Sequence, residues 1–307
     1  YTLGQDAIGS ITLSTAGNAT GLKTLAGQDV VTTFSNGTLI GYISGTNPLV
    51  ATNQVFAITL GTLGASSTGY TMTLFQPVKH AIAGTEDNTT PFTVNVVVAD
   101  ADGSTANTSF TVSIDDDMPI TTNDGLLATL SENSSGVTIG TTATLLGDDN
   151  YGADGAAATG SLVIGTGDKG GTVTIDVNGN LVYTNTSWNV VQGETVTETF
   201  TYTIKDADGD TAEATFTVNL TDTGVTIGAA PTNLLADEDN LAAGVGNTTS
   251  PGDDAQVLSG TISYTLGQDA IGSITLSTAG NATGLQTLGG QDVVTTFSNG
   301  TLIGYIS

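Results

Sequence analysis

Two stretches of strictly alternating apolar and polar residues flank an acidic turn, and they constrain the fold more than any other feature of the chain. The alternation runs through residues 199–204 before the turn and through residues 211–220 after it. A period of two is typical of strands with one buried face, and an Asp-Gly turn between such strands favours a hairpin. The sequence therefore predicts a β-hairpin whose tip carries three carboxylates, Asp206, Asp208 and Asp210.

The same hairpin pattern occurs 106 positions earlier in the chain. Asp100 and Asp102 lie in an Asp-Ala-Asp-Gly turn that is followed by the alternating segment 110–114. Each hairpin leads at once into a short polar or acidic joint, residues 115–117 after the first and residues 221–222 after the second. We interpret each hairpin as the last two strands of a domain.

A longer repeat shows that the chain contains tandem copies. Residues 1–44 recur as residues 264–307, and only two positions differ: Lys23 becomes Gln286 and Ala26 becomes Gly289. A period of 263 residues is too long for a solenoid turn and indicates an array of whole domains. Such near-identity is difficult to reconcile with a single catalytic centre, so we predict that the chain is not an enzyme.

The charge balance restricts the partners that the chain can have. Four lysines, no arginine and 30 acidic residues give a net charge of −26, which argues against nucleic acid and against anionic membrane surfaces. No apolar run is long enough to be inserted into a membrane. Dense negative charge destabilises a compact state unless it is neutralised, which favours divalent cations. The alternative is a surface adapted to acid or salt.

Composition and turn signals predict an all-β chain with three segments. Strong helix formers are scarce, and the absence of cysteine excludes disulfides and thiolate metal sites. We predict tandem immunoglobulin-like β-sandwich domains in an elongated array: 1–117 (type A, lacking its N-terminal segment), 118–222 (complete, type B) and 223–307 (the N-terminal half of the next type A repeat). Tyr1 lies within a pattern, so we expect the chain to be part of a longer protein.

Two local patterns in the second segment carry further predictions. Residues 137–146 are predicted to form one strand, and Asn178-Gly179 is predicted to form a type I′ hairpin turn.

The carboxylates of the second hairpin should lie close to the first acidic joint. In a sandwich the last strand runs toward the exit pole, so the turn before it lies at the entry pole, near the incoming linker. This topology brings the hairpin tip toward Asp115, Asp116 and Asp117. Calcium binds six to eight oxygen ligands, mostly carboxylates and carbonyls, and we predict one or more calcium ions at this joint.

Three further groups of acidic residues are candidate calcium ligands. They are the first hairpin turn (Asp100, Asp102), a glycine-rich loop (Asp148, Asp149, Asp154), and the second joint with the start of the next copy (Asp222, Asp237, Glu238, Asp239). The alternative for each hairpin turn is that its aspartates only shape the turn through Asx hydrogen bonds. The sole histidine, His80, is interpreted as a surface or strand residue, because no Ser/His/Asp spacing accompanies it.

Several motifs together resemble a known family. The run from Gly171 to Tyr183, followed by the run from Phe200 to Ala212, resembles the immunoglobulin-like and cadherin-like tandem repeats of giant RTX-type, type I-secreted bacterial adhesins. Residues 147–155 are similar to a loop of those domains, and residues 115–119 to their acidic linkers. The resemblance implies extracellular display at the bacterial cell surface, domains made rigid by calcium, and a spacer role. The terminal calcium-binding nonapeptide array of such adhesins is absent from this sequence.

These observations favour a structural function, with two alternatives. We predict a spacer of a secreted bacterial adhesin or surface filament, stiffened by Ca²⁺ at its domain joints. Its expected partners are neighbouring repeats of the same protein and other copies in a filament. One alternative is a glycan- or surface-binding sandwich that uses exposed loops such as 152–159. The other is a self-assembling filament subunit that exchanges strands between incomplete halves.

Overall fold

The computed structural model describes residues 1, 6–64, 66–81, 84, 89–186, 188–236 and 258–307. The chain divides into two compact units. The first comprises residues 1–188 and 195–220, and the second comprises residues 189–194 and 221–307. Within the described part of the chain, no helix has the length and the apolar character needed to cross a bilayer.

The first unit begins with a sandwich of eight strands, called here the first sandwich. One sheet has the order β1-β7-β8 and the other the order β2-β3-β4-β5-β6. The strands are β1 (Ile8–Ser14), β2 (Ala19–Lys23), β3 (Asp29–Ser35), β4 (Thr38–Ile43), β5 (Gln54–Leu60), β6 (Tyr70–Leu74), β7 (Thr90–Asp100) and β8 (Thr105–Ile114).

The alternating apolar residues of both sheets meet in one core. Side chains from the larger sheet, including Leu22, Leu39 and Phe56, pack with Leu13 and Phe92 from the smaller one. These side chains are almost fully buried. Burying a side chain of this kind contributes roughly 1.5–3 kcal/mol, so contacts between the two sheets account for much of the stability of the first sandwich.

The same unit contains a second sandwich of seven strands. Its sheets have the orders β11-β14-β15-β9 and β10-β13-β12. The elements are β9 (Leu126–Ser131), β10 (Ser135–Thr141), α1 (Thr142–Leu145), β11 (Leu162–Ile164), β12 (Thr172–Ile175), β13 (Asn180–Thr184), β14 (Thr195–Lys205) and β15 (Thr211–Thr221).

Aromatic residues on the predicted hairpin form the core of the second sandwich. Phe200 on β14 stacks on Phe216 on β15 with ring centroids 5.0 Å apart, and Tyr183 on β13 meets Phe200 edge-on at 6.0 Å. All three side chains have no exposed surface. The residues that alternate with them face outward, so the period of two in the sequence identified the buried face correctly.

Two local predictions about the second sandwich are wrong. Asn178-Gly179 was expected to form a type I′ turn, which needs a positive φ at both residues, but only Gly179 has one (φ 79°). The turn is instead closed by Asp176, whose side chain accepts hydrogen bonds from the backbone of Asn178 and Asn180. Residues 137–146 were expected to form one strand. The strand ends at Thr141, whose hydroxyl caps α1 by accepting from Thr144 N (3.2 Å).

The second unit repeats the sequence of residues 1–44 of the first sandwich but only part of their structure. Its strands are β16 (Thr226–Ile227), β17 (Tyr264–Thr265), β18 (Ala282–Gln286), β19 (Asp292–Ser298) and β20 (Thr301–Ile306). The last three match β2, β3 and β4 at the repeat offset. Residues 271–277, which repeat β1, form no strand. In the first copy β1 pairs with β7, and residues 264–307 contain no counterpart of β7.

The predicted fold class is confirmed. Apart from the four-residue helix α1 and short 3₁₀ turns, the described elements are strands, arranged as successive β-sandwiches. The boundaries of the three predicted domains remain predictions.

Candidate metal centre

The tip of the β14–β15 hairpin is held by its own backbone and by one carboxylate. Asp206 N donates to Asp210 O (3.1 Å), and Asp206 Oδ1 accepts from Gly209 N (3.0 Å) and Asp210 N (2.7 Å). Gly209 has a φ of 119°, a conformation that a residue with a Cβ rarely adopts. The turn therefore fixes Asp206, Asp208 and Asp210 in one small region.

Three other parts of the first unit reach this tip. The loop after β6 contributes His80, whose backbone N–H donates to Asp208 Oδ2 (3.2 Å), and Gly84, whose N–H donates to Asp210 Oδ1. The linker between the sandwiches contributes Asp116. Asp154 lies in the loop before β11, and that loop is joined to the tip by a bridge between residues 156 and 206.

The cluster formed in this way, called here the joint cluster, contains five carboxylates and one imidazole: His80, Asp116, Asp154, Asp206, Asp208 and Asp210. The side chains of these residues are about nine-tenths buried or more. Within it, ligand atoms of Asp154, Asp206 and Asp208 lie within 4.8 Å of one another, as do those of His80, Asp116 and Asp208.

Each carboxylate of the joint cluster has one buried oxygen without a hydrogen-bond partner among the described residues. These atoms are Asp116 Oδ2, Asp154 Oδ2, Asp206 Oδ2, Asp208 Oδ1 and Asp210 Oδ2. A buried charge without a partner is strongly unfavourable, and buried carboxylates are normally paired or bound to a metal. The arrangement therefore favours neutralisation, either by a cation at the centre of the cluster or by protons on the carboxylates.

Glu198 in the core of the second sandwich shows how this protein treats a buried carboxylate that needs no metal. Glu198 has no exposed surface, yet both oxygens are partnered. Oε1 accepts from Gly171 N (2.6 Å), and Oε2 accepts from Tyr183 Oη (2.6 Å) and Asn185 Nδ2 (3.4 Å). The free oxygens of the joint cluster differ from this pattern.

Burial and mutual repulsion raise the pKa values of carboxylates in the joint cluster. Burial, reinforced by Asp208, Asp206 and Asp116, raises the pKa of Asp154 to about 7. Burial raises the pKa of Asp206 to about 6, although hydrogen bonds from Gly209 and Asp210 oppose the shift. Burial also raises the pKa of Asp116, against the attraction of His80. Raised values for several neighbouring acids are typical of functional sites.

The structure separates the linker aspartates that the sequence grouped together. Asp116 enters the joint cluster, whereas Asp115 is exposed. Asp117 turns to the neighbouring loop, where its Oδ2 accepts from Ala153 N (2.6 Å). A Cβ on Gly152 would lie 2.8 Å from that oxygen, and Gly152 has a φ of 76°, so this contact requires glycine.

The predicted loop site at residues 148–154 is also divided. Asp154 joins the hairpin tip, whereas Asp148 is exposed. Asp149 accepts from Thr122 N (2.9 Å) and from Tyr202 Oη (2.9 Å). Burial and the carboxylates of Asp149 and Asp124 raise the pKa of Tyr202, so its hydroxyl stays protonated and remains a donor. Asp149 thus ties the first turn of the second sandwich to its core.

The remaining candidates lie away from the joint cluster. Asp100 Oδ1 accepts from Gly103 N (3.1 Å) and Ser104 N (2.8 Å), and Asp102 is exposed beside it. Asp102 Oδ1 accepts from Ser104 N (3.3 Å) and Ser104 Oγ (3.1 Å), so both aspartates have the hydrogen bonds expected of turn formers. Their oxygens also lie within 4.8 Å of one from the exposed Asp6. Asp222 is half-buried in the second unit. Asp237, Glu238 and Asp239 lie outside the described residues.

The interpretation of His80 as a surface or strand residue is wrong. His80 is buried and lies in the loop between β6 and β7, with Nδ1 2.9 Å from Asp116 Oδ1 and 3.7 Å from Asp208 Oδ2. No local pattern indicates this position, because the partners of His80 are far away in sequence. That it is the only histidine in so acidic a chain was the single available signal.

The donor set of the hairpin side of the cluster fits a hard divalent cation. Asp154, Asp206, Asp208 and Asp210 offer only oxygen atoms, and calcium binds carboxylate and carbonyl oxygens in flexible geometry at about 2.3–2.6 Å. A cation there would satisfy the free oxygens of these four residues. It would also fix Asp208 and Asp210, which accept hydrogen bonds from the loop after β6 of the first sandwich.

The raised pKa values predict an unusual pH dependence for the calcium-free chain. Asp154 and Asp206 titrate near pH 7 and 6 in the folded state but near 3.9 when unfolded. At pH values between the unfolded and folded pKa values, the folded state therefore binds more protons than the unfolded state. The free energy of unfolding should rise as pH falls from about 7.5 to 5. Chemical denaturation of chelator-treated chain at several pH values measures this slope.

A matched variant isolates the contribution of the joint cluster from that of the net charge. Asp154→Asn removes a carboxyl whose pKa is raised to about 7, while His80, Asp116 and Asp208 remain around it, and we expect a shallower slope. The same substitution at the exposed Asp148 should leave the slope unchanged. A slope that Asp154→Asn does not alter would contradict the assignment.

Comparison with known proteins supports the fold of the second sandwich. Residues 116–219 match the family model described as a bacterial Ig domain, which confirms the predicted immunoglobulin-like fold. A comparison with curated protein sequences gave no match.

Solved structures that resemble the chain include extracellular and surface-layer proteins. The protocadherin GammaB4 extracellular domain is 11% identical, with 76% of this chain and 37% of that chain covered and a TM-score of 0.27. Human protocadherin-24 EC1-2 is 13% identical, with 43% of this chain and 66% of that chain covered and a TM-score of 0.24. Surface layer protein SbsC, domains 1–6, is 15% identical, with 98% of this chain and 36% of that chain covered and a TM-score of 0.21. The chain spans between about a third and two thirds of the length of these structures.

Proposed function

We propose that this chain is a spacer segment of a secreted bacterial surface adhesin or filament, in which calcium stiffens the joint between successive β-sandwiches. The observation that carries the proposal is the joint cluster, with its five buried carboxylates and their free oxygens. The function is mechanical, and no catalytic step is involved.

The stiffening follows from the origin of the ligands. Asp154, Asp206, Asp208 and Asp210 belong to the second sandwich, Asp116 belongs to the linker, and Gly84, which donates to Asp210, belongs to a loop of the first sandwich. A cation bound to the four hairpin-side carboxylates would fix Asp208 and Asp210, which accept hydrogen bonds from the backbone of His80 and Gly84 in the first sandwich. Movement of one sandwich against the other would break these hydrogen bonds, so the bound cation opposes bending at the joint.

The repeat supports a role in which length matters. Residues 1–44 and 264–307 differ at two positions, which is expected when copies of a unit are added in tandem to extend an array. The match of residues 116–219 to a bacterial Ig domain agrees with a bacterial origin. A requirement for calcium would also keep such a chain flexible where calcium is scarce and make it rigid outside the cell.

The proposal is tested by measuring the rigidity of the joint directly. Because the chain has no cysteine, Thr71→Cys on β6 and Thr174→Cys on β12 place one spin label on each sandwich at exposed positions. Pulsed electron–electron double resonance should give a narrow distribution of distances between the two labels in calcium and a clearly broader distribution after chelation. The measurement reports joint flexibility rather than overall stability.

The control uses the first hairpin, whose turn carries the same motif. Asp206→Asn in the labelled chain should give the broad distribution even in calcium. Asp100→Asn, the same change in the exposed turn, should leave the distribution in calcium narrow. Equal widths with and without calcium in the unsubstituted chain would overturn the stiffening role.

A further inference from the structure

The imidazole of His80 has a fixed tautomer. Its Nε2 lies 3.3 Å from the carbonyl oxygen of Ile114, and a carbonyl oxygen can only accept a hydrogen bond. Nε2 therefore carries the proton, and in the neutral ring Nδ1 has the lone pair. Metal-binding histidines are held in the same way, since the second ring nitrogen usually donates to a carbonyl or a carboxylate.

The lone pair of Nδ1 faces two carboxylates. Asp116 Oδ1 is 2.9 Å away and Asp208 Oδ2 is 3.7 Å away, and all three side chains are at most 4% exposed. Nδ1 forms no aligned hydrogen bond with any described residue, although it is so close to Asp116. Three electron-rich atoms therefore converge without a proton aligned between them, and a cation bound among them would make the contact favourable.

We propose that His80, Asp116 and Asp208 bind a divalent transition metal of the zinc class, beside the calcium site. Calcium prefers oxygen ligands, whereas imidazole nitrogen suits zinc and its neighbours in the first transition series. Zinc binds nitrogen and carboxylate oxygen at about 2.0–2.2 Å, which puts tetrahedral ligand atoms roughly 3–3.5 Å apart. The observed separations of 2.9 and 3.7 Å bracket that value.

Asp208 belongs to both groups of ligands and joins the two sites. Its Oδ2 lies toward His80, and its Oδ1 is one of the free buried oxygens. A carboxylate with this arrangement can bridge two cations. Only the calcium ion beside the zinc-class site depends on the proposed function. The zinc-class site itself does not, because His80 and Asp116 are not among the four hairpin-side carboxylates proposed for calcium.

The test uses the full chain, stripped of metal and then saturated with calcium. Titration with Zn²⁺, followed by calorimetry, should show one equivalent bound per chain, and Co²⁺ in its place should give the visible absorption bands of a low-coordinate site. His80→Gln, which keeps a donor for Ile114, should weaken zinc binding at least tenfold. The same variant should keep the calcium-dependent rise in melting temperature.

A measurement on the unsubstituted chain keeps the inference testable if the variant misfolds. Because His80 is the only histidine, its ring nitrogens give one pair of signals in a ¹⁵N-detected spectrum. Equimolar zinc should shift Nδ1 to a metal-bound value and leave Nε2 protonated.

The outcomes separate this inference from the calcium proposal. A ring that remains a doubly protonated imidazolium in zinc, or zinc binding that His80→Gln does not change, would overturn the zinc-class site while leaving the calcium site intact. If the chain shows no calcium response but still binds zinc through His80, the calcium site is overturned and the zinc-class site is supported.

Discussion

Calcium is expected to raise the melting temperature of the first unit by roughly 5–10 °C, and Asp206→Asn is expected to remove most of that rise. A ligand that binds only the folded state stabilises it by about 2.7 kcal/mol at a hundredfold excess over Kd. For a unit of this size, each kcal/mol corresponds to about 2–4 °C. The buried free oxygen of Asp206 supplies part of that binding energy and is lost in the amide.

Intrinsic fluorescence makes the measurement specific to the correct unit. Trp188 is the only tryptophan of the chain and belongs to the first unit, so its signal follows the unfolding of that unit alone. Asp100→Asn in the exposed first hairpin is the matched control and should keep the full calcium response. A melting curve that is the same in calcium and in chelator would reduce the joint aspartates to turn formers.

The hairpin was predictable because everything that specifies it is local. The alternation from residue 199 to residue 220 fixes the buried face, and the Asp-Gly turn fixes the reversal. The meeting of Asp116 with Asp208 also followed, because the order of strands in a sandwich places the last hairpin turn near the incoming linker. These inferences need only the period of the sequence and the connectivity of a sandwich.

The rest of the joint cluster could not be predicted, because it depends on how distant loops pack. His80 donates to Asp208 across 128 positions, and neither residue has a neighbour that indicates the other. Asp154 was grouped with Asp148 and Asp149 because the three are close in sequence. The bridge between residues 156 and 206 carries Asp154 into the cluster, while Asp149 is held by Tyr202.

The duplicated segment shows how far tertiary context can override an identical local sequence. Residues 8–14 form β1 and pair with β7, whereas the identical residues 271–277 form no strand. Strand formation at this position therefore depends on the partner strand, since β propensity reflects a favourable environment more than an intrinsic backbone preference. The hairpin of β3 and β4, which needs only its own Asn-Gly turn, recurs as β19 and β20.

This difference between the copies leads to the prediction with the largest expected effect. Leu22 is 1% exposed in the first sandwich, and its repeat counterpart Leu285 is 64% exposed in the second unit. Leu22→Ala should destabilise the first sandwich by about 2–5 kcal/mol, because it removes buried methyl groups and leaves a cavity. Leu285→Ala should change stability by about 0.5 kcal/mol or less, as is usual for exposed positions. Calorimetric unfolding of the two variants gives both values.

A second matched pair distinguishes burial from any peculiarity of one position. Leu13 is 2% exposed and its counterpart Leu276 is 40% exposed, so alanine should again be far more damaging in the first copy. The covering side chains explain the difference: Leu13 and Leu22 share a core with Phe56 and Phe92, which have no counterparts in residues 264–307. Equal losses at both members of a pair would mean that the second copy buries these leucines as the first does. Unequal losses would show that the same leucine contributes differently to stability in the two copies, because only the first copy has strands that cover it.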